Sequence, residues 1–311
     1  IPQGDWSSDV CSSDLLSMAS IHKTVLLSKN VLAVTTKTMG QVLEECGRSA
    51  YTNARSVDGT KIFRLSQHID RLFTSVSMLF PEEQKSLHIT KEEVHNSVVE
   101  DLRKARNYFC QLNPSALTDK TDMKICVIIG KPSAETRLPI SILVQPMTPC
   151  HQPPIICDLY NVVRHNAAAK DSKWAKDREA YYAKSGKSVE DIILCENGCI
   201  FEGGQSNFFA VKNGTVYTKG DGVLQGTMRA MVLTICEKVG IPVCLDAPRV
   251  EEIPLWDACF LTSTSRFVMN IDTLRQDGKV LKQFPEDDKT VLKIKSAISK
   301  EQIGRASCRE R

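Results

Sequence analysis

Apolar residues in the first half of the chain follow a helical period in two places. Residues 65–80 carry apolar side chains three or four positions apart and end before Pro81, which predicts a helix. Residues 90–109 predict a second helix, in which Thr90 at the start is followed by Glu93 at the spacing of a capping box.

Extended segments surround these helices. Apolar residues alternate with polar ones, or form short runs rich in β-branched side chains, which predicts strands at 24–37, 60–65, 123–131 and 138–147. The stretch between the first two ends in Asp58 and Gly59, a pair typical of a hairpin turn.

The second half begins after a proline-rich stretch. Four prolines fall within residues 145–158, which fits a connection better than a core element. We therefore predict a small α+β domain at 18–146, a linker at 147–156 and a larger domain at 157–301.

Short strands and helices alternate in the larger domain. Two Asn-Gly pairs, at 197–198 and 213–214, divide residues 190–218 into three predicted strands. The other predicted elements are a strand at 157–163, a helix that ends near residue 184, a helix at 226–240 and a strand at 257–265. The whole pattern predicts an α+β fold in two parts.

Both ends of the chain look foreign to the protein. Residues 5–15 and 303–311 resemble translated adapter sequences from sequencing libraries rather than a signal peptide or a domain. We therefore exclude 1–17 and 302–311 from the fold, and we expect the natural chain to begin at Met18.

Composition and charge exclude several classes of function. With 42% hydrophobic and 25% charged residues, the chain has the composition of a soluble globular protein. A net charge of +3 gives no reason to expect a nucleic-acid or membrane-surface partner, and no apolar run approaches the roughly 18 residues of a membrane helix. The scattered cysteines fall in apolar runs, which is typical of reduced, buried thiols in a cytoplasmic protein. Cys195 and Cys199 are the nearest approach to a metal motif, but they lack a second pair, so no metal site is expected.

Three local features in the second half bear on chemistry. Lys170 follows three alanines and precedes a helix, so it is either a solvated lysine or an amine set against a ligand. Glu202 precedes two glycines, which let the backbone approach a flat ligand, although hairpins commonly carry such a glutamate. Residues 226–228 begin a helix, where free amides attract a phosphate or simply form an ordinary cap.

Hydroxyl and basic residues add two further features. Residues 262–265 are four consecutive hydroxyl residues at a strand end, which either donate to an anion or form a turn. Arg71 lies near Arg64 and His68 on one side of a predicted helix, where a solvated charged face is the ordinary alternative. Each feature alone leaves both interpretations open.

In their order along the chain, these segments resemble the class IV pyridoxal-phosphate enzymes, the family of branched-chain aminotransferases, D-amino acid aminotransferases and 4-amino-4-deoxychorismate lyases. The resemblance covers about residues 26–272 and is strongest from EGGQSNFFAVKNGTVYT to LQGTMR, with AYTNARSVDG, HIDRL and FLTSTS in the expected order. It implies the two-domain α+β architecture of fold type IV, with mixed sheets and flanking helices, pyridoxal 5′-phosphate as cofactor, and a homodimer.

The resemblance also implies a role for each candidate residue. Lys170 matches the lysine that binds the cofactor covalently and moves a proton at the substrate Cα, and the alanines before it are expected to leave room for a flat ring. Arg71 matches the arginine on the cofactor phosphate, Glu202 matches the acid at the pyridine nitrogen, and Asn207 matches a structural asparagine. The phosphate and the neighbouring substrate side are further assigned to Gly226, Thr227, Met228, Thr264 and Ser265.

On the substrate side the chain departs from the family pattern. Lys173 and Trp174 stand where members often have Asn and Tyr, and Met269-Asn270 replaces a common proline. These departures indicate a divergent branch and leave the substrate amino acid and its stereochemistry open. The resemblance assigns the substrate side to Tyr51, Thr52, Arg55 and Trp174.

Three functions are compatible with these residues. The leading hypothesis is an aminotransferase that exchanges the amino group between an amino acid and a 2-oxo acid, of the branched-chain or D-amino acid type. A lyase that releases pyruvate from aminodeoxychorismate would use the same residues. A cofactor-binding relative without turnover is disfavoured, because such a chain is free to lose the lysine, the acid and the arginine.

Overall fold

The computed structural model describes residues 22–57, 59, 61–118, 121–147 and 153–307, without the side chains of 117–118 and 302–307. Residues 1–17 and 308–311, which belong to the two expected foreign ends, lie outside the described residues, as do Asp58 and residues 148–152 of the expected linker. The domain boundaries stay a prediction, and residues 22–147 and 153–307 are called the first and second part.

An antiparallel sheet organises the first part. Its described strands are β1 Thr24–Ser28, β2 Val31–Thr35, β3 Ala50–Val57, β4 Lys61–Ile62, β5 Met123–Ile129 and β6 Ile140–Pro146. They lie in the order β2-β1-β6-β5-β3-β4, and every neighbouring pair is antiparallel. The predicted strands at 24–37, 123–131 and 138–147 are confirmed. In the segment predicted at 60–65 only Lys61–Ile62 is a strand, because Leu65 already begins α2, and the eight-residue strand β3 was not predicted. The segment at 24–37 is a hairpin, because Lys29 and Asn30 turn the chain with left-handed φ angles of 50° and 61°.

Helices accompany this sheet: α1 Met39–Glu45, α2 Leu65–Leu79, α3 Pro81–Ser86, α4 Lys91–Leu112 and α5 Pro114–Thr118. The two predicted helices are confirmed as α2 and α4. Helix α1 was not predicted, although Thr38 and Gln41 form a complete capping box there. At α4, Thr90 accepts the hydrogen bond from the Glu93 amide at 3.1 Å, but the Glu93 carboxylate binds Arg137.

The apolar stripes of α2 and α4 pack against the sheet. Leu72 and Val76 on α2, and Val98 and Phe109 on α4, are fully buried in one cluster with strand residues such as Ile125. Their removal from water is the main source of stability for the first part.

Two mixed sheets make up the second part. One contains β7 Ile156–Asn161, β8 Val189–Glu196, β9 Cys199–Gly203, β15 Thr273–Gln276 and β16 Lys279–Gln283. Its order is β16-β15-β7-β8-β9, with parallel pairs on both sides of β7. The other contains β10 Asn207–Lys212, β11 Thr215–Tyr217, β12 Val243–Cys244, β13 Ala258–Ser263 and β14 Phe267–Asn270. Its order is β12-β11-β10-β13-β14, and β11 pairs with β12 in parallel.

The helices of the second part are α6 Ser172–Asp177, α7 Glu179–Ser185, α8 Thr227–Lys238, a 3₁₀ helix Val250–Leu255, and α9 Lys289–Ser307. Helix α8 confirms the prediction at 226–240, and the helix predicted to end near residue 184 is split into α6 and α7. Both Asn-Gly pairs adopt left-handed turns as predicted, but they lie among four strands, β8 to β11, instead of three. The predicted α+β fold with mixed sheets and flanking helices is confirmed.

The segment around Lys170 fastens the two parts together. The Lys170 amide donates to Ser75 Oγ at 3.0 Å, and the Tyr51 amide donates to the Lys170 carbonyl at 3.0 Å. The Ser172 amide donates to the Ser49 carbonyl at 2.9 Å. The main chain of Lys170 is therefore fixed by both α2 and β3.

We predict that replacing Leu72 with alanine lowers the free energy of unfolding by about 2–5 kcal/mol, because it leaves a cavity between α2 and the sheet. Urea denaturation followed by circular dichroism measures the change. Met78→Ala on the same helix is the matched control, since Met78 is 40% exposed, and it is expected to change stability by no more than about 0.5 kcal/mol. Equal losses in the two variants would contradict the packing of α2 through this face.

Candidate active site

An open cleft of about 800 Å³ lies between the first sheet and loops of the second part. Strand β3 and helix α2 contribute to one wall, and the ends of β9 and β13 with the start of α8 contribute to the other. Most of the candidate residues line it: Lys170, Arg71, Glu202, Gly226, Thr227, Met228, Thr264, Ser265, Tyr51 and Trp174. Thr52 and Arg55 do not line the cleft.

Lys170 reaches into the cleft from the segment between β7 and α6. Its Nζ lies 4.8 Å from the centre of the Tyr51 ring. Burial among protein atoms lowers the pKa of Lys170 well below its usual value, and the positive charges of Arg71 and Arg164 lower it further. A lower pKa increases the share of the neutral amine, which is the form that serves as a nucleophile and as a base.

None of the three alanines before Lys170 lines the cleft, and the room that they were expected to leave for a flat ring stays a prediction. Ala169 is fully buried in the core of the first part, and Ala167 is 8% exposed. Their small size lets this segment pack closely against that core.

Glu202, near the end of β9, presents one carboxylate oxygen to the cleft. Its Oε2 accepts a hydrogen bond from the Leu224 amide at 3.1 Å. Its Oε1 lies 3.8 Å from Arg164 Nη1 and has no hydrogen-bond partner among the described residues. Burial raises the pKa of Glu202 to about 7, and the positive charge of Arg164 opposes part of that rise.

The start of α8 offers backbone amides to the cleft. Gly226 is the residue before the helix and forms no side-chain cap, so the first amides of the helix remain available to an anion. A Cβ atom at Gly226 would lie 2.1 Å from Asn207 Oδ1, which explains why glycine is needed here. Asn207 Nδ2 donates to the Leu224 carbonyl at 2.8 Å and so holds the loop that leads into α8.

Arg71 extends from α2 and is oriented by two neighbours. Its Nη2 donates to Thr52 Oγ1 at 2.8 Å and lies 3.3 Å from His68 Nδ1. Its Nε is buried and has no partner among the described residues. Burial lowers the pKa of Arg71 to about 10, so the guanidinium stays charged at neutral pH. Thr52 thus lies behind Arg71 and positions it.

The hydroxyl residues that follow β13 form a turn at the cleft. Ser263 Oγ lies 3.3 Å from Ser265 Oγ and accepts a hydrogen bond from the Arg266 amide at 3.2 Å. Arg55 supports this turn from outside the cleft, since its Nη1 donates to the Ser265 carbonyl at 3.4 Å. The Arg55 guanidinium also binds Asp122 at 2.6 Å.

Sequence reasoning missed four basic residues that line the cleft: Lys124, Arg164, Arg178 and Arg266. Arg164 stands six positions before Lys170 in VVRHNAAAK, where a charge among small and apolar residues was the available signal. Arg266 directly follows Ser265, and Arg178 lies four positions after Trp174, so both adjoin candidate residues. Lys124 belongs to a distant segment, and no spacing in the sequence relates it to the others.

Among the described residues, no helix is both long and apolar enough to cross a membrane. No group of three or more His, Cys, Asp or Glu side chains in the same residues is arranged to hold a metal ion.

We predict that the Lys170 amine becomes reactive at lower pH than an ordinary lysine, because its neutral form is favoured by burial and by neighbouring cations. Competitive acetylation over a pH series, read for the Lys170 peptide by mass spectrometry, gives the midpoint directly. With Nα-acetyl-lysine as the internal reference, we expect a lower midpoint for Lys170. A midpoint equal to that of the reference would mean that Lys170 is solvated.

Comparison with known proteins agrees with this geometry. The family described as amino-transferase class IV matches residues 49–274. A putative branched-chain-amino-acid aminotransferase of Methanocaldococcus jannaschii is 26% identical over 248 residues, which cover 76% of this chain and 81% of that protein. The branched-chain-amino-acid aminotransferase of Pseudomonas aeruginosa is 25% identical over 249 residues, which cover 72% of this chain and 75% of that protein.

Solved structures show the same fold at lower identity. The fold IV transaminase from Curtobacterium pusillum superposes with a TM-score of 0.67 at 17% identity, covering 91% of this chain and 99% of that one. An aminotransferase from Brucella abortus bound to pyridoxal phosphate superposes with a TM-score of 0.67 at 16% identity, covering 90% of this chain and 99% of that one. Since the family match spans most of the chain, this protein belongs to the class IV aminotransferase family.

Proposed function

We propose that this protein is a pyridoxal-phosphate-dependent aminotransferase, which exchanges the amino group between an amino acid and a 2-oxo acid. The observation that carries the proposal is that one cleft holds the low-pKa amine of Lys170, the carboxylate of Glu202 and the uncapped start of α8. These groups suit the carbonyl, the ring nitrogen and the phosphate of the cofactor, respectively.

The polar atoms that lack partners among the described residues fit this cofactor. Glu202 Oε1 is buried and suits a ring N–H donor. Arg71 Nε is equally buried, and the amides of Thr227 and Met228 begin α8 without a side-chain cap. A guanidinium beside free helix amides is a suitable receptor for a phosphate.

Bound pyridoxal phosphate supplies an electron sink for the substrate Cα. The chain itself binds the phosphate through Arg71 and the first amides of α8. Glu202 would hold a proton at the ring nitrogen, because a carboxylate beside the ring stabilises the cationic N–H. Lys170 would take the proton from the substrate Cα and return it on the cofactor side.

The same residues would serve a lyase that releases pyruvate from aminodeoxychorismate. The names of the curated relatives, which are aminotransferases, support the transaminase instead. A homodimer and a cytoplasmic location, both expected from the sequence, belong to the same proposal.

We predict that an amino acid added without a 2-oxo acid converts the bound cofactor to its pyridoxamine form. The absorbance spectrum of the cofactor-loaded protein, recorded before and after a panel of L- and D-amino acids, measures this half-reaction. Lys170→Ala is expected to slow it by about a thousandfold or more, because no other group is placed to move the proton. A spectrum that is stable to every amino acid, together with pyruvate release from aminodeoxychorismate, would favour the lyase.

We also predict that Glu202→Gln slows proton removal by about 100-fold, because the ring nitrogen loses the anion that keeps it protonated. Stopped-flow absorbance of the half-reaction measures the rate. Glu196→Gln is the control, since Glu196 is an exposed residue at the end of β8, and it should leave the rate unchanged. Equal rates for Glu202→Gln and the unmodified protein would place the ring nitrogen elsewhere.

A further inference from the structure

A buried carboxylate lies directly behind the lining of the cleft. Asp191, on β8, is fully buried and does not itself line the cleft. It has no part in the proposed chemistry. A carboxylate so far from water is unfavourable unless its oxygens accept hydrogen bonds, so its partners decide its role.

Both oxygens of Asp191 accept two hydrogen bonds within the described part of the chain. Oδ1 accepts from the Ile192 amide at 2.9 Å and from the Tyr182 hydroxyl. Oδ2 accepts from Ser206 Oγ at 2.7 Å and from Arg266 Nη1 at 3.1 Å. Burial raises the pKa of Tyr182 well above its usual value, and the charge of Asp191 raises it further, so the phenol keeps its proton and donates it.

The hydrogen-bond pattern at position 191 requires a carboxylate. Each oxygen faces one donor that cannot accept, namely the Ile192 amide on Oδ1 and the Arg266 guanidinium on Oδ2. An asparagine would turn its NH₂ group toward one of these donors, whichever way its amide is oriented. The main chain of Ile192 is held in β8, whereas the Ser206 hydroxyl can rotate and accept. The NH₂ group is therefore expected to face Arg266 and to displace it.

One partner of Asp191 belongs to the loop between β9 and β10, called the glycine loop. The Gly203 amide donates to the Ser206 carbonyl at 2.8 Å, so Ser206 closes this loop. A Cβ atom at Gly203 would lie 2.2 Å from Ser206 Oγ and 3.0 Å from Asp191 Oδ2. A Cβ atom at Gly204 would lie 2.9 Å from the Tyr182 hydroxyl. Glycine at both positions lets the loop rest directly on Asp191 and its partners.

The carbonyl of Gly204 connects the glycine loop to the segment around α6 and α7. It accepts hydrogen bonds from Trp174 Nε1 at 2.7 Å and from Arg178 Nη1 at 3.0 Å. Both side chains line the cleft. A movement of the glycine loop would therefore displace this part of the lining as well.

Another partner of Asp191 ends the hydroxyl turn at 263–265. Arg266 follows this turn directly and lines the cleft. Besides its hydrogen bond to Asp191, its guanidinium forms an ion pair with Glu190 at 2.7 Å. Two consecutive residues of β8 thus hold the end of the hydroxyl turn.

We propose that Asp191 is a positioning residue, which fixes the glycine loop after Glu202 relative to the hydroxyl turn. These two segments carry groups assigned to the ring nitrogen and to the phosphate, so the inference rests on the proposed function. Asp191 acts through Ser206 and Arg266, one on each segment. The distance between the acid and the turn is thereby matched to a ligand whose ring and phosphate are covalently joined.

Cofactor binding tests the inference without turnover. Absorbance titrations give the Kd of pyridoxal phosphate and of pyridoxal, which lacks the phosphate, for the unmodified protein and for Asp191→Asn. We expect the variant to bind pyridoxal phosphate at least about tenfold more weakly and pyridoxal within about threefold of the unmodified protein, because displacing Arg266 moves the hydroxyl turn. Equal losses for the two compounds, or no loss for either, would overturn the inference.

Asp158→Asn is the matched control. Asp158 is a buried carboxylate on β7, the strand beside β8, and it accepts hydrogen bonds from Arg275 Nε at 2.7 Å and Nη2 at 3.2 Å. Neither residue lines the cleft. We expect Asp158→Asn to lower thermal stability about as much as Asp191→Asn does, and to leave both Kd values unchanged. A phosphate-specific loss in this variant too would show that lower stability alone causes the effect.

A double variant keeps the inference testable if Asp191→Asn folds poorly. When Asp191→Asn is combined with Arg266→Gln, the new side-chain carbonyl at 266 can accept from the NH₂ group at 191, and the NH₂ group at 266 can donate to Glu190. Arg266→Gln alone leaves two buried carboxylates without a cation. We expect the double variant to bind pyridoxal phosphate at least about threefold more tightly than either single variant. A double variant that binds no better than Arg266→Gln alone would overturn the inference.

The two proposals fail in different ways. If amino acids convert the cofactor while Asp191→Asn and Asp158→Asn behave alike, the aminotransferase stands and the positioning role is wrong. If no amino acid converts the cofactor while Asp191→Asn loses affinity only for the phosphorylated compound, the positioning role stands and the aminotransferase is wrong.

Discussion

The site depends on the hydrogen bonds that fasten the Lys170 segment between the two parts of the chain. Ser75 on α2 and Tyr51 on β3 bind the main chain of Lys170, so the position of its side chain does not rely on local conformation. Placing an amine among arginines is unfavourable in itself. The packing of both parts around this segment offsets that cost, which is why the lysine remains in a place that disfavours its charged form.

A second constraint governs the opposite wall. The loop before α8 offers the Leu224 amide to Glu202 and the Leu224 carbonyl to Asn207, while Asn207 leaves space for nothing larger than glycine at position 226. One loop therefore sets both the direction of the acid and the start of the helix. The spacing of Glu202, Asn207 and Gly226 in the sequence therefore reflects their shared contacts with this loop.

Helices α2 and α4 could be predicted from the sequence because their periodicity is strong. The eight-residue strand β3 was missed, because its buried positions include the polar residues Thr52 and Ser56. Helix α1 was missed, because it has seven residues and buries only Val42 and Leu43. Strands β9 and β10 were predicted as a single strand. The chain breaks between them at Gly203 and Gly204, and no Asn-Gly pair marks this break in the sequence.

Most residues that the sequence motifs pointed to line one cleft. The spacing of the motifs cannot distinguish a residue that lines the cleft from one that supports a lining residue from outside. Thr52 and Arg55 lie on β3, next to the cleft residue Tyr51, yet they contact Arg71 and the Ser265 turn rather than the cleft. Lys124 left no signal, because it joins the other cleft residues only when β5 takes its place in the first sheet. Such proximity is a property of tertiary structure.

The carbonyl of Gly204 has a consequence for how this protein can evolve. It anchors Trp174 and Arg178 together, on a segment that bears none of the groups proposed to hold the phosphate or the ring nitrogen. A lineage can therefore replace Arg178 while Trp174 continues to close that side of the cleft. That side of the cleft can change in sequence while the groups proposed to bind the phosphate and the ring nitrogen remain in place.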